Sequence, residues 1–170
     1  MNGMILSVVM CACVVTLSSC SQGALPVPRG SESSATPAPR SSVGQSIVDL
    51  TNRERTIAGL RALVREDRLM QAAQIHAEQM AAAQRMDHVL TGARYPTLES
   101  RLAATGYQYR ATAENISWNQ PSATVAVAGW MRSSGHRTNM LNATYTQMGA
   151  GFATDAKGQS YYIQVFGLPR

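Results

Sequence analysis

Across 170 residues, 15 Lys+Arg stand against 10 Asp+Glu for a formal charge of +5, and 45% of the chain is hydrophobic. That length and apolar content suit one domain with its own core and give no sign of a second. Lys157 is the only lysine and the arginines are dispersed among acids, so no basic stripe exists to track a phosphate backbone, which sets nucleic-acid binding aside.

The chain opens with an apolar run from Met4 to Leu17, at about 14 residues too short to span a bilayer and suited to the core of a signal peptide. It ends at Leu17-Ser18-Ser19-Cys20, which resembles a bacterial lipobox. The resemblance makes residues 1–19 a lipoprotein signal and implies cleavage before Cys20 with lipid attached to its sulfur. Cys11 and Cys13 then leave with the signal, so the folded domain has no disulfide and must be held by its core. As a metal pattern Cys-x-Cys inside an apolar run is poor, because no further cysteine or histidine lies nearby. Residues 20–42 are rich in Ser, Pro and Ala, including Pro26, Pro28, Pro37 and Pro39. They cannot bury enough apolar surface to offset chain entropy and read as a tether, which at about 22 flexible residues holds the domain about 25 Å from a membrane.

Helical spacing begins at Val43, with Ile47, Leu50 and Ile57 as the apolar face and Gly59 as the stop. Leu60 to Val64 is a connector anchored by Leu60 and Leu63. Asp67 is placed to cap a second helix whose stripe is Leu69, Ala72, Ala73, His76 and Met80. On that stripe His76 reads as a hydrogen-bonded core residue rather than a ligand. His88 falls in the exit loop. Pro96 and Thr97 start a short third helix through Leu98, Arg101 and Leu102 that ends at Gly106. Tyr107 to Ser117 is extended, and Pro121 and Ser122 open a fourth helix with Val125, Val127, Trp130 and Met131 inward. Gly135 predicts a break at which His136 leaves the core. Met148 to Thr154 and Ser160 to Phe166 are rich in Tyr, Phe, Val and Ile around the turn residues 155–159, which predicts a β-hairpin. Helices first and strands last make the class α+β, with helices covering an antiparallel sheet.

Chemistry has few places to reside. His88 and His136 lie at helix ends and Glu114 in the extended segment between them; if the fold brings them together, two imidazoles and a carboxylate make a three-ligand zinc site with a position open for water. No His-Glu-x-x-His pattern supports it. Ser133 and Ser134 precede His136, but no nucleophile elbow is present and they read as helix-end turn residues. Arg137 and Asn139 suit the ordering of a pocket wall.

Several stretches in order resemble a bacterial CAP domain, the superfamily of cysteine-rich secretory, antigen 5 and plant pathogenesis-related proteins. They are His88 after a helix, Ala113-Glu114-Asn115-Ile116, the run from Trp130 through Gly135-His136-Arg137 to Asn139-Met140-Leu141, and Tyr161-Tyr162-Ile163-Gln164-Val165-Phe166-Gly167. The similarity spans Val43 to Leu168, so residues 43–170 are taken as one such domain. It implies an α-β-α sandwich whose central antiparallel sheet is flanked by helices, secreted or surface-held. The family cleft commonly carries two histidines and two acids that hold zinc or another divalent ion. His88 matches the first histidine and Glu114 the acid of the Glu-Asn motif. Tyr161 stands where the family's last histidine belongs, His136 offers a ring instead, and no residue matches the second acid. Tyrosine is neutral at pH 7 and a poor ligand.

The expectation is therefore an extracytoplasmic binding module for a small apolar, lipid or envelope ligand, with Asn115, Tyr161, Gln164 and Arg137 as contacts. Lipid on Cys20 would anchor it to the envelope, at the outer membrane in a Gram-negative cell. The competing expectation is a metal-assisted hydrolase of peptides or envelope polymers. In it Glu114 is the general base, His88 and His136 are ligands, and Asn115 or Gln164 polarises the scissile carbonyl.

Overall fold

A computed structural model describes residues 42–170; the signal segment, Cys20 and nearly all of the tether lie outside the described residues. Helix α1 runs Val43–Ile57 and is capped by Ser42, whose hydroxyl accepts from the Gln45 amide. Its buried face is Gly44, Ile47, Val48, Thr51 and Arg55, while Ile57, expected inward, is 71% exposed. The face thus carries polar side chains where apolar spacing alone gives Ile57. Strand β1 is Val64–Arg65, an element the short connector did not announce. Helix α2 spans Asp67–Ala83, with Glu66 rather than Asp67 as its cap. The expected stripe, His76 included, is wholly buried.

Helix α3, Leu98–Ala104, starts from a reciprocal capping box between Thr97 and Ser100. Strand β2 is Tyr109–Trp118. Ser122 caps helix α4, Ala123–Arg132, and helix α5 follows at Ser134–Met140. The break therefore falls at the extended residue Ser133, and Gly135 with His136 begins the next helix. Val125 is exposed rather than inward; Ala126, Val127 and Trp130 fill that face. Strands β3, Gln147–Thr154, and β4, Ser160–Pro169, form the hairpin.

The sheet order is β1-β3-β4-β2. The pairs β3–β4 and β4–β2 are antiparallel and β1–β3 is parallel, so the sheet is mixed, by two residues, rather than antiparallel throughout. Along β4 the side chains alternate between layers. Tyr161, Ile163 and Val165 pack under α2 and α3. Tyr162 and Phe166 pack with residues of α1, α4 and α5. Helix α2 lies almost on the backbone of β3, because a side chain at Gly151 would enter the Ala73–Gln74 peptide. Strand β2 is at an edge, and its carbonyls at Ile116 and Trp118 accept from the Trp130 indole and the Gln120 amide. Those bonds tie the edge strand to helix α4 and the turn before it.

Candidate functional site

Adjacent residues of a strand point to opposite faces, and Glu114 and Asn115 divide accordingly. Glu114 turns toward α2 and α3. Its Oε2 accepts from Nη2 of Arg101 at 2.8 Å, and its Oε1 lies 2.9 Å from Nδ1 of His88 and 3.6 Å from Nε2 of His76. Arg101 and His76 are fully buried and the Glu114 side chain is 4% exposed, whereas the His88 side chain is 55% exposed. Burial pushes the His76 imidazole down to about 4, Glu114 and Arg101 then acting in opposite senses. It is a core residue, as expected from its stripe, wholly buried with the Asp87 backbone as its hydrogen-bonding neighbour. The His88 ring moves the other way, raised chiefly by its hydrogen bond to Glu114.

Asn115 turns to the opposite layer and is consumed there. Its Nδ2 donates to Gln164 Oε1 at 2.9 Å and to the His136 carbonyl at 3.1 Å, and its Oδ1 accepts from Asn139 at 2.9 Å. Gln164 Nε2 donates in turn to Thr51 Oγ1 at 2.6 Å. This chain of amides ties α1, β4, β2 and α5 together and fixes the start of α5. With Asn115 and Gln164 fully buried, neither side chain reaches a substrate carbonyl; they set the backbone that carries His136. The His136 ring is half-buried and its basicity is lowered by burial first and by His88 second, which places the two imidazoles within electrostatic reach across the β2 edge.

Tyr161 does not join them. It pairs with Trp118, while Glu114 pairs with Val165, four residues along the strand and therefore about 13 Å away. Its buried phenol faces Asp155 Oδ2 at 3.4 Å, and burial raises its already high pKa. Arg137 lies exposed on α5. Both Glu114 oxygens are engaged and covered, so the carboxylate cannot meet a substrate water as a general base. What opens to solvent is a groove of about 330 Å³ at the β2 edge, lined by Met86, Ile116, Trp118, Gly129, Ser133 and His136. His76 and Arg101 are the site residues that sequence reasoning did not assign. An arginine on the inward side of α3 was the available signal, because a buried guanidinium requires an acid.

The residues do not fit a divalent ion. Among the described residues no three His, Cys, Asp or Glu side chains are disposed to hold one, and Arg101 already neutralises the carboxylate. A doubly charged ion about 4 Å from that guanidinium would be repelled by about 8 kcal/mol at an effective dielectric of about 20.

The sequence profile of the cysteine-rich secretory protein family, CAP, matches residues 48–166. A Bacillus subtilis protein named as an uncharacterized membrane protein, YlbC, is 35% identical over 122 residues, 72% of this chain and 33% of that protein. A Bacillus anthracis extracellular protein containing an SCP domain is 28% identical with a TM-score of 0.65, over 74% of this chain and 40% of that one. The chain thus spans less than half the length of either. An outer surface protein of Borrelia burgdorferi shares the fold with a TM-score of 0.67 at 17% identity, covering 74% of this chain and 92% of its own.

Proposed function

The chain belongs to the cysteine-rich secretory protein (CAP) family, and from that premise we propose that it is an exported binding module, held to the cell envelope by lipid on Cys20. Its ligand is a small apolar, lipid-like or envelope molecule taken in the groove at the β2 edge. The observation that carries this reading is how the site divides its groups. Glu114, Arg101 and His76 turn inward onto one another, while Met86 and Trp118, which line the groove, stand 45% and 43% exposed. An apolar, aromatic rim with one imidazole is the make-up of a ligand pocket, and a volume near 330 Å³ is at the small end of such pockets. Export is supported by the lipobox-like segment and by the B. anthracis relative, which is described as extracellular.

Tryptophan fluorescence of the full chain, titrated with a long-chain fatty acid and with a muropeptide, tests the reading. A saturable change with one of them that weakens at least about tenfold in both Trp118→Ala and His136→Ala is expected, since aromatic anchors dominate such contacts. A flat response to both, or affinity untouched by either variant, refutes it.

One feature favours a second reading. Nδ1 of His88 lies on Glu114 at 2.9 Å and the side chain is 55% exposed, the arrangement of an imidazole base oriented by a carboxylate. That reading is hydrolysis of a peptide or envelope polymer by water activated at His88, and it requires turnover that survives chelators and vanishes in His88→Ala.

A further inference from the structure

A carboxylate with imidazoles converging on one oxygen is a donor set that divalent transition metals take. Around Glu114 Oε1 the two nitrogens lie at 2.9 Å, from His88, and 3.6 Å, from His76. Tetrahedral bonds of about 2.0–2.1 Å set neighbouring donors about 3.3 Å apart, but among the described residues no three His, Cys, Asp or Glu side chains are disposed to hold an ion. His76 is fully buried, beside the same carboxylate. What the cluster has in place of an ion is Arg101. Its guanidinium is wholly buried and donates to the other oxygen of the same carboxylate at 2.8 Å.

We propose that Arg101 is the resident cation of this cluster: it holds Glu114 as a divalent ion would and excludes such ions from the cleft. The arginine comes from α3, the histidines from α2 and the loop after it, and the acid from β2. The cleft is metal-independent whichever reading of its function holds.

Cobalt(II) absorption tests this in the full chain, with Cys11, Cys13 and Cys20 changed to Ser in every protein so that thiolates do not compete. The unsubstituted cluster and Arg101→Lys, which keeps a positive charge, are expected to bind no cobalt. Arg101→Met, and Arg101→Gln as a second neutral replacement, are expected to bind one equivalent at least about 100-fold more tightly, because a like charge has been removed. Adding His76→Ala or His88→Ala should then lose at least about tenfold, as for any site deprived of a ligand. Cobalt binding by the unsubstituted cluster that disappears in His88→Ala overturns the proposal, and that arm does not depend on an Arg101 variant folding. A folded neutral variant, verified by circular dichroism, that binds no more tightly than the parent overturns it as well.

Discussion

The energy of the Arg101–Glu114 pair follows from burial alone, and it can be measured directly. Both side chains are almost completely removed from water and 2.8 Å apart. Taking away one partner strands the other as a buried charge, at a cost of about 3–5 kcal/mol. Arg101→Met and Glu114→Leu should each show a loss of that size. The double variant replaces the pair by apolar side chains and should lose no more than the worse single, giving a coupling of about 3 kcal/mol or more. Urea unfolding of the four proteins reads it out: with a slope of about 2 kcal/mol per molar, a loss of about 3 kcal/mol moves the midpoint by about 1.5 M. Single losses below about 1 kcal/mol that add within about 0.5 kcal/mol in the double would falsify the claim that these two charges stabilise one another.

Two further outcomes follow from buried geometry. His76 titrates near 4 in the folded chain because of burial, against 6.5 for a free imidazole, so its contribution to stability is intact above about 6.5 and lost as pH falls toward 4, by up to about 3 kcal/mol. The raised His88 acts in the opposite sense, its contribution being present at low pH and lost as pH rises through its folded pKa. His76→Gln should therefore flatten the acid side of a urea-midpoint profile, and an unchanged slope between about pH 7 and 4 would refute the assignment. Gly151→Ala should destabilise by at least about 1–3 kcal/mol through overpacking against α2. Gly135→Ala meets no atom within 4 Å and should stay within about 0.5 kcal/mol, so equal shifts in thermal melting would contradict the close packing of α2 on β3.

Much of the scaffold is legible in the residues themselves. The stripe from Leu69 to Met80, the Thr97 start and Gly106 stop of α3, and the hairpin around residues 155–159 each rest on local rules, and the structure has these elements there. Local rules also mislead where the neighbour across the gap matters. Ile57 and Val125 have helical spacing that suits burial and yet are exposed, because among the described residues no element covers their part of the helix. Val64–Arg65 is a strand only because Gln147 and Met148 lie beside it. Tyr161 resembles a site residue by its place in a motif, but only the pairing of Glu114 with Val165 shows how far along the strand it stands.

The class of the fold, the order of its elements, and the stretches able to carry chemistry are all readable from the residues alone, since periodicity, caps and turn residues are properties of a few neighbouring positions. Chain order makes Glu114 and Asn115 adjacent, but it does not say that they serve different layers. Which groups meet depends on contacts between distant elements: Arg101 with Glu114 across 13 positions and Gln164 with Thr51 across 113. Those contacts set the charges and hydrogen bonds of the site, and a one-residue change of register in β2 would exchange its two faces and dissolve both.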